Sequence, residues 1–113
     1  DHAVCTKVRH GDRAVTIELP PMAVAGRTIV LLDDMASTGH TLARAARLLL
    51  AAGAASVDAA VTHALFAGDA LTVMQEAGVG AIWSTDCIAH PTNVVRVADL
   101  IAQALQAAGP AAA

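Results

Sequence analysis

The sequence predicts an α/β domain built on a parallel β-sheet, and three observations carry this prediction. The stretch TIVLL at 28–32 is continuously apolar and β-branched, which is typical of a strand covered on both faces of a parallel sheet. Apolar residues at helical spacing follow it. The same succession of strand and helix then recurs downstream, and such alternation is typical of βαβ crossovers.

The first 20 residues predict a β-hairpin that forms a flexible flap. Two β-leaning stretches, VCTKVR at 4–9 and AVTIEL at 14–19, are separated by HGDR, in which Gly-Asp supplies the turn residues. The two prolines at 20–21 then break the run. We therefore expect residues 1–20 to form a flexible hairpin or flap.

The remaining elements follow from periodicity and from glycine positions. After the strand at 28–32, which we expect to stop at Asp33, apolar residues from Leu42 to Leu49 fall at helical spacing, and Gly53 ends this helix as a C-terminal cap. Further along, the pattern predicts a strand at 56–64, a helix at 68–78, a strand at 79–84, a short strand at 94–97, a closing helix at 98–108 and a frayed tail at 109–113.

Length and composition limit the classes of function. The 113 residues are enough for one domain, and the net charge of −3 argues against a general affinity for nucleic acid or for an anionic membrane surface. Cys5 and Cys87 have no spacing that indicates a disulfide framework or a zinc site, so we expect reduced thiols in a cytoplasmic protein. No apolar run approaches the ~20 residues that span a bilayer. Because the chain begins at Asp1, we expect a processed chain, an isolated domain or a fragment.

Two acids and a run of small residues follow the strand at 28–32. Asp33 and Asp34 stand at a strand's carboxyl end, where ligands bind in open parallel sheets. The small residues at 36–39 let the backbone wrap an anion, the start of the next helix offers unpaired N–H groups, and Thr38 and Thr41 add hydroxyl donors. Acceptors followed by donors suit a sugar phosphate. For the acids alone, an Asx turn with a helix N-cap explains the pattern equally well.

Other polar residues follow the neighbouring strands at the same edge of the predicted sheet. His63 ends the strand at 56–64, and Asp86 and His90 follow the strand at 79–84. For each of these residues a structural role is favoured over contact with a ligand. Trp83 is likewise favoured as a core or interface residue rather than as a platform on which a base stacks.

The stretch VLLDDMASTGHTL, at 30–42, resembles the phosphoribosyl pyrophosphate (PRPP) signature of the type I phosphoribosyltransferase family, in which an apolar strand, two acids and a Thr-Gly-x-Thr phosphate loop follow one another. CTKVRHGD, VAGRTIVLLDDM, LLLAAGAASVDAAVTHALFAGDAL and TDCIAHP extend the resemblance over essentially the whole chain. They are similar to the C-terminal half of ribose-phosphate pyrophosphokinases, also called PRPP synthetases. The chain departs from many members of that family at Ser37, where they have Asp, and at His40, where they have Gly.

The resemblance implies a phosphoribosyltransferase-like fold and a role for each matching residue. Asp33 and Asp34 would bind the ribose 2- and 3-hydroxyls, directly or through Mg²⁺. The 5-phosphate of ribose 5-phosphate would be held by Ser37, Thr38, Gly39, His40 and Thr41. Lys7 and Arg9 would match the basic pair of the family's flexible catalytic loop and stabilise charge on the transferring group. Without the resemblance, an ordinary solvated strand face explains these two cations better.

The implied activity is that of a ribose-phosphate diphosphokinase, which transfers the diphosphoryl group of ATP to ribose 5-phosphate to give PRPP and AMP. In that family the ATP-binding residues belong to the N-terminal half, which this sequence lacks, so we expect the isolated chain to be inactive and the complete protein to be an enzyme. The alternatives are a phosphoribosyltransferase that uses PRPP, and a non-catalytic synthetase-like domain that binds ribose phosphate or regulates a partner. The Ala-rich helices at 43–54 and 98–108 favour a homo-oligomer.

Overall fold

The structure of the chain, a computed structural model, describes residues 1–11 and 14–110. Asp12 of the predicted turn and residues 111–113 of the predicted tail lie outside these ranges. The described residues form strands and helices in the predicted order. The strands are β1 (Thr6–His10), β2 (Ala14–Glu18), β3 (Thr28–Ala36), β4 (Ser56–Ala64), β5 (Val79–Thr85) and β6 (Asn93–Val95), and the helices are α1 (His40–Ala51), α2 (Ala70–Glu76) and α3 (Val97–Ala108).

The strands form a four-stranded sheet and a separate hairpin. The sheet has the order β3-β4-β5-β6, and every neighbouring pair in it is parallel. β1 and β2 pair with each other in antiparallel fashion. The predicted α/β class, its parallel sheet and its N-terminal hairpin are therefore confirmed. Among the described residues, no helix combines the length and the apolar character that crossing a membrane requires.

Strand β3 is longer than its sequence predicts. The apolar run ends at Leu32, but the strand continues through both acids to Ala36, with Asp33 beside Val61 and Ala36 beside Ala64. The prediction that the strand stops at Asp33 is wrong. The reason is tertiary: β4 runs alongside over this whole length, and its backbone pairs with the polar end of β3.

The core lies on one face of the sheet, under α1 and α2. Alternate residues of β4, namely Val57, Ala59 and Val61, are buried there and belong to one cluster with Leu49 of α1 and Met74 of α2. Many of the other residues in this cluster are alanines, which let the helices approach the strands closely. The core is built from small aliphatic side chains, as expected for a chain with 2% aromatic residues.

The opposite face of the sheet is open in the described part of the chain. Val30 is 46% exposed and Leu32 is 80% exposed, so the expectation that residues 28–32 are covered on both faces is not met. A groove of about 600 Å³ crosses this face beside Ala60, Trp83 and Val95. The face stays open because α1 and α2 pack on the other side, and α3, which is described throughout, has no buried residue.

Two polar arrangements fix the far strands of the sheet. The Asp58 carboxylate accepts a hydrogen bond from the Ala81 N–H at 2.8 Å, where the register between β4 and β5 shifts. The Asn93 Nδ2 group shares its two hydrogens among three acceptors, Ser84 Oγ at 2.7 Å, the Thr85 carbonyl at 2.6 Å and the Ile88 carbonyl at 3.1 Å. These side-chain bonds add to the backbone pairing that joins β5 to β4 and to the short strand β6.

Candidate functional site

A cavity of about 310 Å³ opens where β3 ends and α1 begins. Its lining residues are Lys7, Asp33, Asp34, Met35, Ala36, Ser37, Thr38, Gly39, Thr41 and Leu42. The cavity lies at the carboxyl end of a strand in a parallel sheet, which is the usual position of ligand sites in this class of fold. It brings together most of the residues that the sequence indicates.

The two acids are neighbours in β3, and their environments differ. Asp33 is half-buried, whereas Asp34 is exposed, and the Asp34 N–H donates to Asp33 Oδ1 at 2.8 Å. Burial raises the pKa of Asp33 above its ordinary value of 3.8, the hydrogen bond from the Asp34 backbone opposes this, and the Asp34 side chain raises the pKa further. A cation or a hydroxyl donor stabilises the charged form of a carboxylate. A ligand that brings either one would therefore lower the pKa of Asp33 again.

The loop between β3 and α1 leaves the start of the helix uncapped. Gly39 is the N-cap residue of α1, with φ +80° and ψ −4°, and no side chain caps the first turn of this described helix. The first N–H groups of α1 therefore lack an acceptor from a capping side chain and are available to an anion. The turn-and-cap explanation of the sequence pattern loses its support, because both acids lie within β3 and no side chain supplies the cap.

The loop itself must have glycine at position 39. A side chain there would place its Cβ 2.9 Å from the Ala70 carbonyl oxygen and 3.1 Å from Met74 Cγ, and the positive φ disfavours any residue other than glycine. Helix α2 therefore begins directly against the loop. The sequence did not predict this contact, because it joins positions about thirty residues apart.

The hairpin meets the cavity through Lys7. Its Nζ contacts Thr41 Oγ1 at 3.5 Å, and both residues line the cavity. Arg9, on the same face of β1 because side chains alternate along a strand, is exposed, and so is His40 at the first position of α1. As far as the structure describes the chain, neither residue lines the cavity. Their predicted roles stay predictions.

The acid pair has the donor atoms for a magnesium ion that takes part of its ligands from the protein and part from a substrate. In the described residues, no group of three or more His, Cys, Asp or Glu side chains lies together in a way that could hold a metal ion. Asp33 and Asp34 alone do not make an all-protein cage. However, Mg²⁺ in phosphate-binding sites takes one or two carboxylates and completes its shell with water and substrate oxygens, and the donors present fit this pattern.

The other polar residues at this edge have structural partners. Asp86 Oδ1 accepts from the Val97 N–H at 3.0 Å, where α3 begins. His90 Nδ1 lies 2.8 Å from Thr92 Oγ1. His63 is exposed. The first two contacts agree with the structural roles that the sequence favours for Asp86 and His90.

Sequence reasoning assigned no role to Phe66 and Ala67. The Phe66 N–H donates to the Ala36 carbonyl at 3.0 Å, and the Ala67 N–H donates to the Ser37 carbonyl at 2.8 Å. The loop after β4 is thereby bonded to the loop after β3. The sequence held one signal for this arrangement. Its strand, helix and strand alternation predicts that the strands at 28–32 and 56–64 are neighbours, which places the loops that follow them side by side.

Together, the parallel sheet, the acid pair at its carboxyl edge and the glycine-centred loop define the class of the protein. Residues 6–105 match the family model described as "Phosphoribosyl transferase domain", and the chain belongs to this family.

Within the family, the chain is similar to ribose-phosphate pyrophosphokinases. It is 42% identical over 105 residues to ribose-phosphate pyrophosphokinase 1 of Archaeoglobus fulgidus, a match that covers 93% of this chain and 37% of that protein. It is 38% identical over 106 residues to the ribose-phosphate pyrophosphokinase of Methanosarcina acetivorans, covering 94% of this chain and 38% of that protein. The resemblance seen in the sequence is therefore confirmed.

A solved structure agrees with this result. The phosphoribosylpyrophosphate synthetase from Mycobacterium smegmatis matches with a TM-score of 0.64 and 29% sequence identity, over 92% of this chain and 36% of that one. The chain thus spans a little more than a third of the length of the relatives that it matches.

Proposed function

We propose that this chain is the ribose-phosphate-binding part of a ribose-phosphate diphosphokinase. The reaction transfers the β,γ-diphosphoryl group of ATP to the 1-hydroxyl of ribose 5-phosphate: the hydroxyl oxygen bonds to the β-phosphorus, the bond from that phosphorus to the α,β-bridging oxygen breaks, and AMP leaves. The observation that carries the proposal is the single cavity in which two carboxylates, an uncapped helix start and Lys7 meet.

The acid end of the cavity would bind the sugar. Asp33 and Asp34 present carboxylate oxygens, which accept hydrogen bonds from the ribose 2- and 3-hydroxyls. Hydrogen bonds to charged groups contribute about 1.5–3 kcal/mol each. Because burial raises the pKa of Asp33, a bound hydroxyl or cation would stabilise its charged form more than it would stabilise a fully solvated carboxylate.

The loop end would bind the 5-phosphate. The N–H groups at the start of α1 lie at the positive end of the helix dipole. The hydroxyls of Ser37, Thr38 and Thr41 add further donors. Gly39 lets the backbone approach the anion closely. His40, which opens the helix, would contribute its N–H to the same set.

Mg²⁺ is the cofactor that we propose, with Asp33 and Asp34 as its protein ligands. When bound, the ion neutralises charge on the phosphoryl oxygens. The protein's own contribution is to hold the sugar and the 5-phosphate in one orientation, so that the 1-hydroxyl is presented to the second substrate.

Lys7 and Arg9 would supply fixed positive charge to the transferring group. In the described sheet arrangement β1 and β2 pair with each other and not with the main sheet, and an isolated two-stranded hairpin is only marginally stable in water. Such a hairpin is suited to close over the cavity when substrate binds. The contact between Lys7 and Thr41 supports this direction of movement.

The chain spans a little more than a third of the length of its relatives, so the proposal assigns ATP binding to a part of the complete protein outside these residues. The proposed partners are ribose 5-phosphate, ATP and further copies of the same chain in a cytoplasmic homo-oligomer. Neither a nucleic acid nor a membrane is among them.

A phosphoribosyltransferase that consumes PRPP is the second candidate, favoured by the phosphoribosyl transferase domain family to which residues 6–105 belong. The two reactions release different products. A diphosphokinase makes AMP and PRPP from ATP and ribose 5-phosphate, whereas a phosphoribosyltransferase makes a nucleotide and pyrophosphate from PRPP and a base. A non-catalytic domain would bind ribose 5-phosphate and make neither set.

The test is an assay of the complete protein with ATP, Mg²⁺ and ribose 5-phosphate. Formation of AMP and PRPP in equal amounts is expected, and the absence of AMP with the wild-type protein would sink the proposal. Calorimetry with ribose 5-phosphate should show that Asp33→Ala and Thr38→Ala each weaken binding. Asp99→Ala and Thr72→Ala, both at exposed positions outside the cavity, are the matched controls.

Lys7→Ala tests the charge on the hairpin separately. We expect lower turnover with nearly unchanged affinity for ribose 5-phosphate, because the charge acts on the transferring group and not on the bound sugar. Arg47→Ala, which removes an exposed cation of α1, is the control. A loss of affinity without a loss of turnover would refute the assigned role.

A further inference from the structure

The loop that joins β4 to α2 braces the phosphate loop. We call residues 65–69 the bracing loop and residues 36–41 the phosphate loop. Two hydrogen bonds join them, from the Phe66 N–H to the Ala36 carbonyl at 3.0 Å and from the Ala67 N–H to the Ser37 carbonyl at 2.8 Å. These bonds continue the pairing of β3 with β4 beyond the ends of the strands.

Phe66 adopts an unusual conformation to make this possible. Its φ is +38°, and it is the one non-glycine residue at positive φ in the part of the chain that the structure describes. This region costs free energy for any residue with a Cβ, so other contacts must hold the residue there. The phenylalanine is 9% exposed and belongs to the core cluster, which provides that hold.

A second set of contacts holds the ring from the side of β5. The rings of Phe66 and His90 lie edge to face, with centroids 4.9 Å apart and planes at 61°. His90 Nδ1 is 2.8 Å from Thr92 Oγ1, which in turn is 2.7 Å from the Oγ of the buried Ser84. The ring therefore lies between the core and a polar cluster that is itself anchored to the sheet.

We infer that Phe66 is a positioning residue for the phosphate loop. Its buried ring fixes the bracing loop, whose N–H groups fix the carbonyls of Ala36 and Ser37, and the N–H groups that follow at the start of α1 are thereby aimed into the cavity. Phe66 is not among the residues that line the cavity, so it acts through the backbone of the phosphate loop and not on the ligand. The identity of the anion rests on the function proposed above.

The test compares two variants with a matched control in the full chain. Phe66→Gly removes the ring and makes positive φ easy, while Phe66→Leu keeps an apolar side chain but loses the aromatic edge. The control, Leu65→Ala, changes the neighbouring side chain, which is 48% exposed. Phe66→Leu keeps the experiment decisive if Phe66→Gly does not fold.

The first measurement is amide hydrogen exchange without ligand. We expect exchange at Ala67, and at Ala43 whose N–H bonds to the Gly39 carbonyl, to accelerate roughly fivefold or more, as the loss of about one net hydrogen bond implies. Exchange at Ala60, in the middle of β4, should change much less. Equal acceleration at all three sites would overturn the inference, because it would mean that Phe66 only stabilises the whole domain. No acceleration at Ala67 and Ala43 would overturn it too, because the ring would then not hold the loop.

The second measurement is calorimetric titration with ribose 5-phosphate. Both variants should bind roughly five- to tenfold more weakly at an unchanged stoichiometry, whereas Leu65→Ala should bind like the wild type. A lowered stoichiometry with an unchanged dissociation constant would indicate partial unfolding and contradict positioning. If the wild-type chain itself does not bind ribose 5-phosphate, the proposed function fails, and hydrogen exchange still decides whether Phe66 positions the loop.

Discussion

Gly39 gives the sharpest stability prediction. An alanine there would have both an unfavourable backbone conformation and a steric clash, whereas an alanine at Gly26 would have the unfavourable conformation alone. Gly39→Ala places a residue with a Cβ at φ +80° and brings that Cβ to 2.9 Å from the Ala70 carbonyl oxygen. Gly26 has nearly the same conformation, φ +74°, with no atom within 4 Å of an added Cβ. Gly26→Ala is therefore a control for the backbone cost alone.

The magnitudes follow from these two environments. The left-handed conformation costs a residue with a Cβ roughly 1–2 kcal/mol, which applies to both variants. Overpacking against the rigid Ala70 backbone adds roughly 1–3 kcal/mol to Gly39→Ala only. We expect Gly39→Ala to lower the free energy of unfolding by roughly 2–5 kcal/mol, a large share of the 5–15 kcal/mol that holds a typical domain.

The assay is thermal and urea denaturation of the wild type and both variants. For a domain of this size, each kcal/mol lowers Tm by about 4 °C or more, so Gly39→Ala should fall clearly below Gly26→Ala. Calorimetry should also show weaker binding of ribose 5-phosphate by Gly39→Ala and unchanged binding by Gly26→Ala. Equal losses of stability in the two variants would refute the packing of α2 against the phosphate loop.

Three further predictions concern single polar groups. Asp33→Asn should raise the Tm of the ligand-free chain at neutral pH: burial raises the pKa of Asp33, so the stabilising contribution of the protonated form is complete below about pH 3.8 and is lost as the pH rises through the raised pKa. A difference in Tm that does not grow with pH would contradict this. Asn93→Ala removes an amide whose two N–H hydrogens serve three acceptors and whose oxygen accepts from the His90 N–H. The substitution should lower the unfolding free energy by roughly 2–4 kcal/mol in urea titrations, and a loss below about 1 kcal/mol would show that these bonds contribute little. Asp58→Ala should accelerate amide exchange at Ala81 by removing its acceptor, while exchange in α1 stays as in the wild type, and unchanged exchange at Ala81 would argue against that hydrogen bond.

Local patterns in the sequence were sufficient to predict the main architecture. The run TIVLL and the recurring strand and helix units predict a parallel sheet because periodicity reports directly which faces are buried. That the acid pair and residues 37–41 would lie at one site was also predictable, because these residues are nearly contiguous and follow the apolar run of β3. The cavity indeed contains Asp33, Asp34 and Thr38.

The features that the sequence did not predict depend on distant partners. β3 extends to Ala36 only because β4 lies beside it, and no property of residues 33–36 alone indicates this. Phe66 bonds to a carbonyl thirty positions earlier, so its role requires knowledge of which strands are neighbours. The open sheet face was missed for a related reason, since an apolar strand does not reveal how many helices will cover it.

The hydrogen bonds between the bracing loop and the phosphate loop have a consequence for protein engineering. A phosphate loop transplanted alone onto another parallel sheet would present the Ala36 and Ser37 carbonyls without their donors, and the loop would relax. The smallest transferable unit is therefore two adjacent strands with both of their carboxyl-terminal loops. For the same reason, a search for variants with altered ligand preference should randomise the two loops together, since a change in either loop shifts the backbone to which the other is hydrogen-bonded.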